Sequence, residues 1–332
     1  MKMKQKKILV TGGCGYIGGN IVENIRLKHD DTDLTIIDDC ERGNNGPNIL
    51  SLNPPPTIIK KRLECLGQNE LYDHKFDIVI HCAANAYVGE SQKYPTKYLQ
   101  RNVDATSKLL ESLDLEYLNK FIFSSTCAVY GNSLNKINET SKLNPESPYG
   151  WSKVVCESLI ESYAKTYNFK STIFRFFNVA GANKAFSTGE RHSPETHLVP
   201  LLYQSAKTGK KFKIFGMNYG TKDGTCEREY VHVNDIVEAH ELVMSKPQLP
   251  NSTVINLCTG KPWSVLELVK RAEKCWGAKI NYEYAAERPG DAESLIGDYE
   301  KAKLDLGWLP KNSNLDQILN DYHKWIVSNN DT

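Results

Sequence analysis

The stretch that most constrains the fold runs from Lys7 to Asp38. It holds a short apolar run (Lys7-Ile8-Leu9-Val10), glycines at 12, 15 and 18, an amphipathic segment from Asn20 to Lys28, and a second apolar run, Leu34-Thr35-Ile36-Ile37, that ends in Asp38. The apolar runs read as strands and the segment between them as a helix. Strand, glycine turn, helix is the order a dinucleotide site requires: the glycines allow a tight turn, close approach of backbone to a pyrophosphate, and close packing of helix on strand. The helix N-terminus then faces the phosphates. A glycine triplet alone is a weak signal, and Asp38 with Asp39 could simply end a strand. The spacing adds weight, because a carboxylate at 38 accepts hydrogen bonds from a ribose diol and repels a 2′-phosphate, favouring NAD over NADP.

The same alternation continues. Phe76 to His81 reads as a buried strand, followed by the small residues Cys82, Ala83 and Ala84, which let a backbone approach a cofactor. Tyr94 to Leu113 reads as one long helix, and Lys120 to Phe123 as a strand ending at Ser124-Ser125-Thr126, while Asn44 to Pro56, rich in Asn, Gly and Pro, reads as a surface loop. The expected class is α/β, a Rossmann-type doubly wound parallel sheet with ligands at the carboxyl ends of its strands and a smaller α/β C-terminal domain for substrate. Residues 1–178 are assigned to the first domain and 179–332 mainly to the second, with chain crossing back around 228–260. Beyond Tyr163 the alternation loosens: Ser171 to Asn178 is a strand, Gly181 to His197 an irregular polar stretch of a length that is usually functional, and Leu198 to Lys207 a helix.

Ser147-Pro148-Tyr149-Gly150-Trp151-Ser152-Lys153 places a tyrosine four residues before a lysine at the opening of a helix, with Pro148 in the first turn. Residues at i and i+4 share a helical face. A phenol titrates near pH ~10, so it works as a base near neutrality only when a fixed positive charge favours the phenolate. Lys153 supplies such a charge. A bare Tyr-x-x-x-Lys is also a common surface pair, and its weight comes from the rest of the chain.

Charge excludes several function classes. The 332 residues carry 41 Lys plus Arg against 40 Asp plus Glu, which argues against nucleic acid or a membrane surface as main partner. No apolar run reaches the roughly 18 residues of a membrane helix. The basic start, Met1 to Lys7, leads directly into a strand and is read as a solvated tail, not a signal peptide. Nine cysteines without paired or metal-ligand spacing fit reduced thiols in a cytoplasmic setting, and no metal site is expected.

Several separated motifs resemble the extended short-chain dehydrogenase/reductase family, and within it the UDP-glucose 4-epimerases. They are TGGCGYIG (11–18), VIHCAA (79–84), VGES (88–91), FSSTCAVYG (123–131), SPYGWSK (147–153), FRFFNVAGA (174–182), SPETHLVP (193–200), YGTKDGTCEREYVHV (219–233) and ERPGD (287–291). The resemblance covers about Lys7 to Trp325. It implies an NAD-dependent enzyme that binds a UDP-sugar between its two domains and dimerises through two long helices. Tyr149 is then the catalytic base, Lys153 its electrostatic partner and Thr126 the hydroxyl that hydrogen-bonds the sugar. The implied reaction removes the 4-hydroxyl proton to Tyr149 and the C4 hydride to the nicotinamide, turns the 4-keto sugar over, and returns hydride to its other face.

By the same resemblance, Gly12, Gly15, Tyr16, Ile17, Gly18, Asp38, Asp39, Cys82, Ala83, Ala84, Lys153 and Phe177 line the cofactor. Asn178, His197, Leu198, Lys213, Phe215, Arg228, Tyr230, Arg288 and Asp291 join Thr126 and Tyr149 around the substrate, the arginines on the diphosphate because the guanidinium fork pairs with phosphate oxygens. His81, His192, His197 and His232 are read as structural or contact residues. Three departures stand out. Lys61-Arg62-Leu63 replaces the segment whose carboxylate holds the adenine amino group in relatives, Ala86-Tyr87 replaces a lysine or serine region, and Leu295 is intermediate in bulk where size decides admission of an N-acetyl group. Rival readings are a 4-epimerase of UDP-N-acetylhexosamine, UDP-pentose or UDP-uronate, a non-catalytic cofactor binder, and a 4,6-dehydratase. The last needs an acid and a base directly after Thr126, where this chain has Cys127 and Ala128.

Overall fold

The computed structural model describes residues 5–41, 46–133, 135–185, 187–246, 249–288 and 292–329. Six strands open the architecture: β1 (Lys7–Thr11), β2 (Asp33–Asp38), β3 (Thr57–Lys60), β4 (Ile78–His81), β5 (Lys120–Thr126) and β6 (Lys170–Phe176). With Ser252–Leu257 they form a seven-stranded sheet in the order Ser252–Leu257, β6, β5, β4, β1, β2, β3. The β3-β2-β1-β4-β5 ladder is parallel throughout. Order 3-2-1-4-5-6 reverses direction between β1 and β4, and ligands of such sheets bind at that reversal, outside the carboxyl ends of the strands. The glycine turn after β1 and Cys82-Ala83-Ala84 after β4 lie at that place. Residues of β1, β4 and β5 are almost all buried, as expected of parallel strands covered on both faces.

The chain forms two compact units. The first comprises Met1–Thr126, Ser147–Arg175 and Val237–Ile255, and the second Cys127–Glu146, Phe176–Ile236 and Asn256–Thr332. Beside the expected division at 178 with a return around 228–260, the segment 127–146 joins the second unit and the returning segment is 237–255. Local contacts explain the return. Glu241 bonds Asn24 at 3.1 Å and His29 at 2.9 Å, and the Lys120 ammonium donates to the carbonyls of Val243, Met244 and Lys246.

The first unit's core gathers Leu9, Val79, Phe121, Phe123, Leu109 and Ile160. The second has its own core, built on Leu202, Ile214, Val269, Leu319 and Trp325. Its strands come as pairs: Asn178–Ala180 runs parallel to Tyr230–His232, Phe212–Phe215 parallel to Tyr282–Ala285, and Glu227–Arg228 antiparallel to Trp263–Ser264. The expected strand from Ser171 to Asn178 therefore ends at Phe176, and Asn178 opens a new one.

Two further expectations are revised. Tyr94 to Leu113 is three consecutive helical pieces, an α turn at Pro95–Tyr98, a π segment at Leu99–Asp104 and an α-helix at Ala105–Ser112. Periodicity does not register one widened turn, and such turns are frequent at functional sites. Within the expected loop Asn44 to Pro56, Gly46–Leu50 is a helical turn that buries Ile49.

Candidate active site

Ser147 caps the helix Pro148–Tyr167, its Oγ accepting the Gly150 N–H at 3.1 Å, and Pro148 occupies the first turn where its missing N–H costs nothing. This start sets Tyr149 and Lys153 one turn apart on a single face, both buried. The Lys153 ammonium donates to the Ser124 carbonyl at 2.8 Å and lies 4.5 Å from the centre of the Phe123 ring. Burial pushes the Lys153 ammonium below the ordinary lysine range, and nearby Cys156, Cys82 and Glu157 oppose that shift. The ring of Tyr149 meets Tyr98 edge to face, with centroids 6.3 Å apart. Tyr98 is fully buried and fixed by its hydroxyl, which donates to Glu90 at 2.7 Å and accepts from the Tyr87 N–H at 3.1 Å. Thr126, also buried, ends the strand whose Ser124 carbonyl holds Lys153. Thr126, Tyr149 and Lys153 thus belong to one unit, on a strand end and a helix start.

Beneath them lies a buried network that sequence reasoning missed. Arg175 on β6 clasps Glu157 with two hydrogen bonds, Nε at 3.1 Å and Nη2 at 2.6 Å, and the Ser125 hydroxyl donates to the same carboxylate. All three are buried. Glu157 sits one turn after Lys153, so the network couples β5, the helix and β6 directly below the site. A second clamp centres on Asn102 in the π segment. Its amide accepts from the Asn85 N–H at 2.8 Å and donates to the Asn85 carbonyl and to the Ser152 hydroxyl. An i+4 Glu and a mid-helix Asn carry no local signal that separates them from surface residues.

On the cofactor side, Gly12 has φ +70°, and a Cβ there would stand 2.7 Å from the Ala83 nitrogen. At Gly18 a Cβ would stand 2.2 Å from the Gly12 carbonyl oxygen. Gly15 precedes the helix Tyr16–Lys28, whose Tyr16 is buried and Ile17 half-buried. The turn is therefore a backbone cradle of the kind a pyrophosphate requires, and these residues fit NAD. Asp38 accepts the Cys14 N–H at 2.9 Å and the Cys40 N–H at 2.8 Å, which ties the end of β2 to the glycine turn. Burial raises its carboxyl above the usual range. Ala83 and Ala84 are half-buried, and Cys82 accepts from the Ser124 hydroxyl at 3.2 Å, its thiol pushed up to about 11 by burial.

Arg62, where a carboxylate was missing from the adenine segment, turns to Glu41 and Asp39. Arg101 meets Asp39 at 3.1 Å, Glu41 at 3.2 Å and Glu64 at 3.1 Å. The acidic groups at this edge are thus Asp39, Glu41 and Glu64, each already paired with arginine.

At the end of β4, His81 has its Nδ1 2.6 Å from the Thr11 hydroxyl and its Nε2 3.0 Å from the Thr106 hydroxyl. Thr106 spends its own proton on the Asn102 carbonyl at 2.7 Å, so Nε2 carries the imidazole proton and Nδ1 accepts from Thr11. Thr11 Oγ1 in turn accepts the Ala83 N–H at 3.3 Å. His81 is a neutral strut, its pKa lowered to about 3 by burial and by Lys153.

In the second unit the expected substrate residues fall into small groups. Arg288 stacks its guanidinium 3.7 Å from the centre of the Phe215 ring, with Lys213 exposed on the same strand. Asn178 faces Tyr230 in register. Phe177 is buried against Gly297, where a Cβ would stand 2.5 Å from its ring. Arg228 donates to the Glu227 carbonyl at 2.7 Å. His197 occupies the N-cap position of the helix Leu198–Thr208 beside Glu190, and Leu198 is half-buried at its start. Asp291 lies outside the described residues. Between Arg228 and Tyr230, the buried Glu229 accepts from the N–H groups of Thr259, Gly260 and Gly297 and from the Thr259 hydroxyl, a positioning role that sequence gave no reason to assign. Leu295 is 7 % exposed.

Comparison with known proteins places these features in a lineage. Residues 8–258 match the model of the NAD dependent epimerase/dehydratase family. The chain is 39 % identical to a UDP-glucose 4-epimerase of Lactobacillus helveticus and 36 % identical to one of Streptococcus mutans, each over 97 % of both chains. The crystal structure of the Bifidobacterium longum UDP-glucose 4-epimerase in complex with NAD+ and UDP superposes with a TM-score of 0.91 at 29 % identity, over 98 % of this chain and 99 % of that one.

Proposed function

The chain belongs to the NAD-dependent epimerase/dehydratase family, and from that membership we propose that it is a UDP-glucose 4-epimerase, interconverting UDP-galactose and UDP-glucose with NAD as its bound cofactor. The observation that carries the proposal is the buried Tyr149–Lys153 pair, with the lysine held to the Ser124 carbonyl at 2.8 Å. Near-full-length likeness to the two bacterial enzymes supports the choice of substrate. The family embraces dehydratases too. Elimination across C5 and C6 needs an acid and a base, and neither Cys127 nor Ala128 after Thr126 supplies them.

In this reading Gly12, Gly15, Tyr16, Ile17, Gly18, Asp38, Asp39, Cys82, Ala83, Ala84, Lys153 and Phe177 hold the dinucleotide. When bound, it supplies a reversible hydride acceptor for the sugar C4. Tyr149 as phenolate takes the O4 proton while Thr126 hydrogen-bonds the same region of the sugar, and Lys153 favours the phenolate by its charge. The 4-keto sugar turns over, and Tyr149 returns the proton to O4 in the opposite configuration. Asn178, His197, Leu198, Lys213, Phe215, Arg228, Tyr230, Arg288 and Asp291 bind the nucleotide-sugar, the arginines at its diphosphate.

The partner is a second copy of the chain. Trp151 and Val155, 52 % and 44 % exposed, lie one turn apart on the helix Pro148–Tyr167, and Tyr94 and Leu99 are likewise exposed near the preceding helical run. Such apolar helix faces serve as interfaces. The compartment is cytoplasmic: all nine cysteines are free thiols, and among the described residues no helix is long and apolar enough to cross a membrane.

The test is a product assay. Purified protein is incubated separately with UDP-galactose and UDP-N-acetylgalactosamine, without added NAD, and the nucleotide-sugars are resolved by chromatography. Conversion of UDP-galactose supports the proposal, and conversion of the acetamido sugar as well means that Leu295 leaves room for that group. Conversion of neither, even with NAD added, overturns it.

A further inference from the structure

Glu190, His192 and His197 each offer one ligand atom, and these atoms all lie within 4.8 Å of one another. They come from a segment that is built, not loose. A backbone bridge joins Ala182 to Gly189, and the Asn183 N–H donates to the Thr188 carbonyl at 3.1 Å. Gly189 lies so close to the Trp325 indole that a Cβ would stand 2.2 Å from it, while the Arg191 guanidinium sits 5.1 Å from the centre of that ring. Glu190 is therefore presented from an anchored strand-like edge. At the other end His197 holds the N-cap position of the helix Leu198–Thr208. Between them Glu195 accepts the N–H groups of His192, Thr196 and His197 at 3.2, 2.8 and 2.9 Å, folding the loop, and its carboxylate lies 3.6 Å from His192 Nδ1 and 4.0 Å from His197 Nδ1 beside that of Glu190.

We infer that Glu190, His192 and His197 form a binding site for a divalent transition ion of the Zn²⁺ class, with Glu195 orienting the loop that carries it. Two imidazoles and one carboxylate suit a borderline ion and disfavour Mg²⁺ or Ca²⁺, which take oxygen ligands. The geometry is close. Donors on a tetrahedral ion at about 2.1 Å are separated by roughly 3.4 Å. Here the Glu190 carboxylate lies 2.6 Å from His197 Nδ1 and 4.0 Å from His192 Nδ1. A cation entering the triangle opens the first separation and closes the second by less than about 1 Å each. Glu190 is 2 % exposed and the His197 side chain 41 %, so the ion would sit at the mouth of a buried carboxylate with its fourth position open to water. Bound there, it fastens the irregular segment to the start of the helix Leu198–Thr208. The inference gives His197 to the ion in place of the nucleotide-sugar contact assigned to it above, and it does not depend on the role assigned to Tyr149.

The experiment uses full-length protein without a histidine tag, stripped with a chelator, reduced and titrated with Co²⁺, then with Zn²⁺ in competition. One equivalent of Co²⁺ per chain should bind with visible ligand-field absorption, which Zn²⁺ abolishes. His192→Ala and His197→Ala should each weaken binding by at least about 100-fold, a loss at or above the upper end for removal of an outer partner. Glu190→Gln keeps the shape of the side chain and decides the matter if an alanine variant fails to fold: it should lose Co²⁺ binding and the rise in Tm that Zn²⁺ gives the parent protein. Absence of saturable binding, undiminished affinity in folded Glu190→Gln, or a thiolate-to-cobalt charge-transfer band assigning the ion to cysteine overturns the inference.

Discussion

The Lys153 ammonium is hydrogen-bonded at 2.8 Å to the carbonyl of Ser124, two residues before Thr126 on the same strand. One contact thus fixes the charged group of the helix Pro148–Tyr167 against the strand end that carries the proposed sugar-binding hydroxyl. It also satisfies a carbonyl at a buried residue.

Replacing Lys153 by Met should lower turnover by about 10²–10⁴-fold, the usual range for an acid–base group deprived of its proper ionisation. The variant should stay folded with a stability cost of about 1–3 kcal/mol for the abandoned carbonyl. Without the cation Tyr149 ionises less readily, so the basic rise of the pH–rate profile should move to higher pH. Steady-state kinetics across pH, with a thermal melt as control, measures all three.

Glu157→Leu leaves the Arg175 guanidinium buried without its carboxylate, and breaking such a pair costs about 3–5 kcal/mol. Arg175→Leu added to it should recover much of that loss, because an apolar pair carries no unpaired charge. Urea titration of the single and double variants gives the coupling. Activity should not return with stability, since Ser125 and the helix then lack their common anchor.

His81 makes the protein acid-sensitive. Its folded pKa lies at about 3 against the ordinary imidazole value of 6.5, so between those values the unfolded chain binds the proton and the folded one does not. Stability from this group is therefore complete well above pH 6.5 and falls as pH drops toward 4, by a few kcal/mol at most, on the order of 1 kcal/mol per pH unit. His81→Gln, which removes the titration, should flatten that part of the curve. Chemical denaturation at stepped pH values measures it.

What could be read from the sequence follows physical locality. The glycine turn is legible because Gly12, Gly15 and Gly18 are forced by backbone contacts within a few residues or at the neighbouring strand. The Tyr149–Lys153 pair is legible because i and i+4 spacing is enough to place both on one face. Glu157 and Arg175 are 18 residues apart and meet only when helix and sheet pack, so neither announces the other. Asn102 becomes a clamp only through a π segment that no hydrophobic period reveals. Glu229 gains its role from donors at 259, 260 and 297, brought together by the fold of the second unit. The cluster at Glu190, His192 and His197 was passed over for a related reason: its spacing matches no familiar metal motif, and only the turn made by Glu195 brings its ligand atoms together.

The most direct test of the central claim compares the parent protein with Tyr149→Phe for conversion of UDP-galactose to UDP-glucose, after measuring the NAD that each retains. If Tyr149 is the base, the variant keeps its cofactor and fold and loses turnover by about 10²–10⁴-fold. Turnover near that of the parent in a cofactor-loaded Tyr149→Phe would contradict the account.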